Sequence, residues 1–425
     1  MKLLIKNARA IDPSQGLDDT RDLLIVDGKI ARVEPSISDG EAEVLEAVGL
    51  VVTPGFIDMH VHLREPGRED KETIKSGCEA AAAGGFTSIC CMPNTNPVND
   101  TRAVTDFILA RAKESGIVNV FPIGAVTRGQ EGRLLADVGE MREAGCVAIS
   151  DDGKPVWNAL IMRRALEYAG MWNMPVIDHC EDLHLAEGGV MNEGYYSTAL
   201  GLRGIPAMAE DIMVQRDITV AGAVGQHLHV AHLSTAGAMA AVRDGKRRGI
   251  KVTCEVTPHH FALTDKEVSS YDTSTKMNPP LRSEADRQVL LAGIKDGTVD
   301  CIASDHAPHT FDDKNVEYDY APFGIVGLET AVSLALDRLV NSGLIPMSRL
   351  VALMSSNPAR VLGLKGKGSL RVGSDADVTV LNPQKKVTVD SERFKSKSHN
   401  TPFNGWKLKG APAATIVAGR IVWRE

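Results

Sequence analysis

Residues 55–64 have the sequence Gly55-Phe56-Ile57-Asp58-Met59-His60-Val61-His62-Leu63-Arg64. Most of these residues are apolar, which predicts a buried β-strand, yet the strand carries two histidines. Residues two apart on a strand point to the same side, so the side chains of His60 and His62 should project together. Two imidazoles in this arrangement suit a metal of the zinc class, whereas the simpler alternative is a pair of core histidines held by hydrogen bonds. A His-x-His pattern alone is a weak signal, so the rest of the chain has to decide between the two.

The composition narrows the class of protein. The chain has 425 residues, 43% of them hydrophobic, and a formal net charge of −8. This length suits one large α/β barrel with a smaller appendage. The acidic balance and the lack of a basic tract argue against a nucleic-acid partner. We find neither a signal peptide nor an apolar run near the ~20 residues of a membrane span, so we expect a cytoplasmic protein without a membrane partner. The seven cysteines form no Cys-x-x-Cys motif, and we expect small buried thiols.

The segment between residues 51 and 363 alternates short apolar runs with helical patterns. The runs cover residues 55–62, 87–93, 118–126, 146–151, 175–180, 227–233, 251–257 and 299–304. Helices are predicted over residues 69–83, 102–114, 236–247 and 284–295. Eight strand–helix units with nearly continuous apolar strands predict a parallel sheet that closes into a TIM-type (β/α)8 barrel. An open doubly wound sheet is the alternative, but no Gly-x-Gly-x-x-Gly follows a strand.

Both ends of the chain are predicted to be β-structure. Residues 23–33 have the pattern of a hairpin closed by Asp27-Gly28, and residues 416–423 repeat that pattern. Residues 373–381 are a further strand candidate. Because a ribbon of few strands is marginally stable alone, we expect residues 1–53 and 364–425 to combine into one small β domain beside a barrel of residues 54–363. Two separate β appendages are the less economical alternative.

Polar side chains follow the predicted barrel strands, where the active site of a TIM barrel lies. These residues are His60 and His62 after the first strand, Asn94 after the second, Asp151 and Asp152 after the fourth, His179 after the fifth, His232 after the sixth, and Asp305 and His306 after the eighth. Four of these histidines and two of the carboxylates already exceed the ligand set of one zinc ion. They suit two metals about 3.5–4 Å apart, bridged by a carboxylate and a hydroxide that attacks an amide-like bond.

Four motifs of the chain resemble those of the bacterial class I dihydroorotases of the amidohydrolase superfamily. They are His60-Val61-His62-Leu63-Arg64-Glu65-Pro66-Gly67, Met92-Pro93-Asn94-Thr95, Ser150-Asp151-Asp152-Gly153 and Ala303-Ser304-Asp305-His306-Ala307-Pro308-His309. The resemblance covers essentially the whole chain. It implies reversible, zinc-dependent cyclisation of N-carbamoyl-L-aspartate to L-dihydroorotate in pyrimidine biosynthesis.

The resemblance also implies the metal ligands and the general base. His60, His62 and Asp305 correspond to the ligands of a first zinc, and His179 and His232 to those of a second. Asp152 corresponds to the bridging carboxylate, although its neighbour Asp151 is a rival that spacing separates poorly. Asp305 would also move the proton between the hydroxide and the ring nitrogen. We therefore expect two zinc ions per chain, and the occupancy of the second site stays open.

Substrate contacts follow from the same comparison. Arg64 can pair bidentately with a carboxylate, and Asn94 and Asn278 can donate and accept hydrogen bonds. The full predicted set is His62, Arg64, Asn94, Asn278, His309, Phe323 and Gly324. The charged loop 312–322 is long enough to act as a lid. His259 and His260 are predicted to be structural or to lie behind the ligands. A homodimer and a complex with aspartate carbamoyltransferase are both possible.

Two other functions fit these residues less well. A hydantoinase-like cyclic amidohydrolase would give Arg64 no carboxylate to bind. Hydantoinases, allantoinases and class II dihydroorotases bridge their metals with a carboxylated lysine, whereas here the position is Asp151-Asp152 and the nearest lysine is Lys154. A non-catalytic subunit that supports a carbamoyltransferase should have lost metal ligands, and all six positions are filled here.

Overall fold

The N-terminal segment begins a sheet that the other end of the chain completes. A computed structural model describes residues 2–425. Its first strands are β1 (Lys2–Asp12), β2 (Leu17–Val26), β3 (Lys29–Glu34), β4 (Glu43–Glu46) and β5 (Val51–Pro54). The predicted hairpin joins β2 to β3 in antiparallel register. It turns at Asp27 and Gly28, whose φ angles of 48° and 78° are the positive values that a two-residue type I′ turn requires.

The central segment forms the predicted parallel barrel. Its strands are β6 (Phe56–Val61), β7 (Phe86–Cys91), β8 (Asn119–Gly124), β9 (Ala148–Ser150), β10 (Val176–Asp178), β11 (Met191–Asn192), β12 (Gly204–Ile205), β13 (Leu228–Val230), β14 (Val252–Val256) and β15 (Cys301–Ile302). β11 and β12 pair with each other outside the barrel, and the other eight lie side by side in chain order. The ring closes where Val61 bridges to His306 and the His62 amide donates to the His306 carbonyl at 2.8 Å.

Helices cover the outside of the barrel. They are α1 (Ile74–Ala83), α2 (Arg102–Ser115), α3 (Val138–Ala144), α4 (Ala159–Gly170), α5 (Leu183–Ala186), α6 (Tyr195–Leu200), α7 (Met208–Val224), α8 (Ala236–Arg247), α9 (Pro258–Ala262), α10 (Glu284–Asp296), α11 (Phe311–Lys314), α12 (Ala331–Ala335), α13 (Met347–Val351) and α14 (Asn357–Val361). Helix α8 has the predicted bounds. Helix α1 begins five residues later than predicted, because Thr73 and Ser76 form a capping box that starts the helix there.

The C-terminal strands complete the first sheet. They are β16 (Val378–Thr388), β17 (Lys407–Val417) and β18 (Arg420–Arg424). Strand β5 connects the two halves, since it pairs with β1 on one side and with β16 on the other. The sheet has its own core, which includes Ile5, Ile25 and Ile416. The predicted fold class, a (β/α)8 barrel with a small β domain built from both chain ends, is therefore confirmed.

Two further expectations concern the whole chain. All seven cysteines are free and buried, as predicted. Among residues 2–425, no helix is both long and apolar enough to cross a membrane.

Candidate active site

The predicted metal ligands meet at the carboxyl ends of the barrel strands. His60 lies in β6 and His62 comes directly after it, and the other four ligand positions follow β9, β10, β13 and β15 within three residues. The six side chains, those of His60, His62, Asp152, His179, His232 and Asp305, are all buried. Barrel closure thus brings together residues that are up to 245 positions apart in the sequence, as the strand-end rule predicts.

Four of these residues form one group. His60 Nε2 lies 3.3 Å from an Asp152 oxygen and 3.5 Å from an Asp305 oxygen. His62 Nε2 lies 3.4 Å from the other Asp152 oxygen and 3.1 Å from Asp305. Zinc–nitrogen bonds of about 2.0–2.1 Å in a tetrahedron place ligand atoms about 3.3 Å apart. The group therefore has the spacing of a set of metal ligands.

A second group shares the Asp152 carboxylate. His232 Nε2 lies 3.0 Å from His179 Nδ1 and 3.2 Å from Asp152 Oδ1. Asp152 Oδ1 is thus near His60 and His232 together, while Oδ2 faces His62. A carboxylate in contact with both groups is what a bridge between two metals requires.

Asp151 points away from both groups. Its carboxylate accepts hydrogen bonds from the Val126 amide at 2.9 Å, the Thr127 amide at 3.0 Å and the Thr127 hydroxyl at 2.5 Å. Adjacent residues of an extended segment face opposite sides, so only one of the two aspartates can reach the cluster. Lys154, the nearest lysine, is exposed.

The outer nitrogens of two histidines are already engaged. His60 Nδ1 lies 2.7 Å from Glu255 Oε1, and His62 Nδ1 lies 2.8 Å from Asn94 Oδ1. Carboxylate and amide oxygens only accept, so each Nδ1 carries a proton and each Nε2 is the ring atom that faces the cluster. His60 Nε2 is moreover buried without a hydrogen-bond partner in residues 2–425. This pattern fits metal ligands oriented by outer hydrogen bonds.

The imidazoles around the candidate metal ligands shift the pKa values of the neighbouring carboxylates. Burial alone would raise the pKa of Asp152, but the nearby imidazoles of His60, His232 and His62 hold that pKa well below its usual value. Burial likewise opposes ionisation of Glu255, yet hydrogen bonds from His229 and His60 lower its pKa to about 2. The carboxylates are thus ionised, which is the state in which they bind metals.

The backbone is unusual at three of the site residues. Arg64, His232 and Asp305 have φ angles of 62°, 28° and 48°, in the left-handed region that non-glycine residues rarely adopt. Backbone strain of this kind clusters at functional sites, where the surrounding structure holds it in place.

A cavity of about 320 Å³ opens above the ligands. All seven predicted substrate residues line it: His62, Arg64, Asn94, Asn278, His309, Phe323 and Gly324. Arg64 Nε donates to the Pro308 carbonyl at 3.2 Å, and burial lowers the pKa of Arg64 to about 10. Its guanidinium forms no ion pair with a carboxylate of residues 2–425. The cavity therefore offers a half-buried cation to an anionic ligand.

Lys71 fixes the protonation of His309. The Lys71 ammonium lies 2.9 Å from His309 Nδ1 and 2.9 Å from Asp313, and both Lys71 and His309 are buried. An ammonium group only donates, so Nδ1 must accept and the proton must sit on Nε2. Nε2 in turn donates to the Phe323 carbonyl at 2.8 Å. Burial and the nearby cations of Arg64 and Lys71 lower the pKa of His309 to about 2, so the ring is neutral.

The loop that was predicted to be long enough for a lid is held at its middle and is bridged between its two ends. Lys276 donates to the carbonyls of Tyr318 and Asp319 at 2.8 and 3.0 Å. Lys314 donates to the Pro322 carbonyl at 2.7 Å. Gly324 has a φ of 151°, and a Cβ there would come within 2.7 Å of the Ala307 carbonyl. Glycine is thus required where the loop enters the cavity.

Three site residues were missed by the sequence analysis. Glu255 orients His60, Lys71 orients His309, and Glu181 lies 3.3 Å from Asn278 Nδ2. Glu255 had a signal, since it interrupts the otherwise uncharged buried strand β14. His260 is held by Thr257 Oγ1 at 2.8 Å and the Pro279 carbonyl at 2.9 Å.

Known proteins resemble the chain along its whole length. A family model described as "Dihydro-orotase-like" matches residues 49–238, and one described as "Amidohydrolase family" matches residues 219–423. A protein of Pelotomaculum thermopropionicum named "Dihydroorotase" is 57% identical, and the match covers 100% of this chain and 99% of that protein. One of the same name from Syntrophus aciditrophicus is 55% identical, with 100% of both covered. The solved structure of an L-hydantoinase (dihydropyrimidinase) from Arthrobacter aurescens superimposes with a TM-score of 0.89 at 27% identity, covering 99% of this chain and 96% of that one.

Proposed function

The chain belongs to the dihydroorotase family of the amidohydrolase superfamily, and we propose that it interconverts N-carbamoyl-L-aspartate and L-dihydroorotate at a pair of zinc ions. It is a cyclic amide hydrolase of pyrimidine biosynthesis. The main support for a pair of zinc ions is the position of Asp152, whose carboxylate contacts both groups of histidines. The clusters themselves indicate a metal, while its identity and number are part of the proposal.

We assign the ligands as follows. His60, His62 and Asp305 hold one zinc, His179 and His232 hold the other, and Asp152 bridges them. Bound zinc supplies a nucleophile at neutral pH and polarises the amide carbonyl. The support is threefold: the ligand spacing, the outer hydrogen bonds on His60 and His62, and the unpartnered Nε2 of His60.

The cavity residues then bind and orient the ring. Arg64 and Asn94 hold the substrate carboxylate, and Asn278, His309 and the Phe323-Gly324 backbone hold the ring amide. Because His309 donates its Nε2 proton to the Phe323 carbonyl, it fixes the Phe323-Gly324 backbone beside the ring. Asp305 accepts the proton that is released when the ring amide is attacked and returns it to the ring nitrogen as the C–N bond breaks.

Arg64 favours dihydroorotate over a hydantoin. A hydantoin or dihydrouracil ring has no carboxylate, so it would cover this half-buried guanidinium without pairing it, which is costly. Turnover of dihydroorotate, hydantoin and dihydrouracil by the zinc-loaded protein tests this assignment. We expect ring opening of dihydroorotate only, and comparable turnover of hydantoin would contradict it.

The bridge has a matched control in the neighbouring residue. Asp152→Asn should lower the bound zinc per chain and abolish turnover, because an amide is a poor bridge between cations. Asp151→Asn keeps an oxygen for the Val126 and Thr127 amides and should keep both the zinc content and most of the activity. Metal analysis together with ring-opening rates separates the two, and the reverse result would assign the bridge to Asp151.

The finer statements on location and partners are proposals as well. We propose a cytoplasmic enzyme that forms a homodimer and that can associate with aspartate carbamoyltransferase. The mass of the purified chain in solution, alone and mixed with the carbamoyltransferase, tests both associations.

A further inference from the structure

A second cavity lies at the opposite, amino-terminal mouth of the barrel. It has a volume of about 520 Å³ and lies beside the starts of β10, β13 and β14 and the residue before β15. Three cations line it: Lys246, Lys251 and Arg360. Asp300 also lines the cavity, and its carboxylate accepts hydrogen bonds from Lys246 at 2.5 Å and from the Cys254 amide at 2.9 Å.

The other two cations have no anionic partner. Lys251 and Arg360 are exposed and form no ion pair with a carboxylate of residues 2–425. His227 lies on the cavity wall, where burial and the nearby His229 lower its pKa. The cations of Arg360 and Lys251 lower the pKa of His227 further, to about 4. The cavity therefore combines two unneutralised cations with a neutral imidazole, a combination that favours an anion.

A chain of polar groups, half-buried at His227 and buried beyond it, runs from this cavity through the barrel to the candidate metal centre. His227 Nε2 lies 2.8 Å from Thr253 Oγ1, which lies 2.8 Å from His229 Nδ1. His229 Nε2 lies 3.3 Å from Glu255 Oε2, and Glu255 Oε1 lies 2.7 Å from His60 Nδ1. Barrel interiors are usually filled with branched apolar side chains, so a continuous polar path is unusual.

The direction of these hydrogen bonds is fixed. Glu255 only accepts, so His229 donates from Nε2 and accepts at Nδ1. Thr253 has one hydroxyl proton, which it must give to His229, so it accepts from Nε2 of His227. His227 Nδ1 then keeps a lone pair. An anion beside His227 would favour a proton there and strengthen every donor along the path to Glu255.

We propose that the basal cavity binds a small anion bearing a phosphate or carboxylate group, and that the path His227–Thr253–His229–Glu255 transmits its occupancy to His60. The binding site stands independently of the reaction, whereas the transmitted effect rests on the proposed function.

Binding is tested on the zinc-loaded protein by ¹⁵N resonances of the histidine rings, with His227 assigned through His227→Gln. Inorganic phosphate and succinate are titrated separately, which distinguishes a phosphate from a carboxylate ligand. We expect a saturable shift of His227 with at least one probe, weakened at least tenfold in the double variant Lys251→Gln/Arg360→Gln. The exposed Arg247→Gln on α8 is the matched control and should bind as the unmodified protein does. An unchanged His227, or equal shifts in the double variant, would overturn the site.

Transmission is tested by ring-opening rates in the presence of the probe that binds. Saturation should change kcat at least twofold in the unmodified protein and leave the double variant unchanged. A His227 shift without a kinetic change would refute the transmission. A protein that shows the shift but never opens dihydroorotate would refute the proposed function and leave the anion site standing.

Discussion

Lys71→Met tests whether a lysine behind the cavity sets the protonation of His309. The substitution keeps the unbranched, buried stem and removes the ammonium that lies 2.9 Å from His309 Nδ1. A hydrogen bond that involves a charged group contributes about 1.5–3 kcal/mol. If that energy helps to keep the proton on Nε2, its loss lets His309 place the proton on Nδ1, and the hydrogen bond that holds the Phe323 carbonyl beside the ring is then lost.

The expected effect on catalysis follows from this energy. Each 1.36 kcal/mol is a factor of ten in rate, so kcat/KM for dihydroorotate should fall about tenfold to a hundredfold. KM should carry much of the loss, because His309 is proposed to bind the ring. Lys71→Arg retains a donor and should recover most of the activity. The ¹⁵N spectrum of the His309 ring reports the tautomer directly, with Nε2–H expected in the unmodified protein and a mixture in Lys71→Met.

A control is needed because Lys71 also contacts Asp313 at 2.9 Å. Asp313→Asn weakens that ion pair and leaves the hydrogen bond to His309, so it should keep the Nε2–H tautomer. If Lys71→Met showed kcat/KM within twofold of the unmodified protein and an unchanged His309 spectrum, the tautomer argument would be wrong. Equal losses in Asp313→Asn would attribute the effect to the loop.

Three other predictions concern single residues. Asp305→Ala should lower zinc content and reduce ring-opening rates below detection, since it removes a ligand and the proposed base; near-normal kinetics would contradict both roles. Arg64→Ala should raise KM for dihydroorotate at least tenfold, and an unchanged KM would show that the carboxylate binds elsewhere. Glu329→Gln concerns stability, because burial raises the pKa of Glu329 to about 7. The folded state thus holds a proton that the unfolded state releases near pH 4.5, so stability is lost as the pH rises towards 7. One Glu329 oxygen accepts both the Lys395 and Ser396 amides, which glutamine can also do. The variant should therefore gain about 3 kcal/mol at pH 8 and nothing at pH 4, measured by denaturant unfolding; an equal gain at both pH values would refute the pKa shift.

The strand-end rule predicts most of the candidate site because the rule is local. An apolar run that ends in a polar residue is visible in the sequence, and barrel closure makes all such ends neighbours. His60, His179 and His232 are found in this way without any knowledge of their partners. The hairpin at Asp27-Gly28 is equally local, since its two residues tolerate the positive φ angles that the turn imposes.

Residues that act through distant partners are not predicted. Lys71 lies in a turn before α1 and meets His309 only because the barrel brings β6 beside β15. The same holds for the late start of α1, where Glu72 is buried and accepts from His306 Nε2 at 3.1 Å. A helical pattern over residues 69–83 contains no sign of a partner more than 230 positions away.

The two aspartates after β9 show where the local argument ends. Sequence places both at a strand end, and which one faces the cluster depends on the pairing of Ile149 and Ser150 with Val176 and Ile177. A shift of one residue would exchange them. In the observed register, the Asp151 carboxylate accepts hydrogen bonds from Val126 and Thr127, and the Asp152 carboxylate faces the histidines. Lys154 is exposed, two residues further on, so a carboxylated lysine cannot replace Asp152 without moving the whole strand end. The register of the barrel therefore decides which of the two aspartates is placed to bridge the proposed zinc pair.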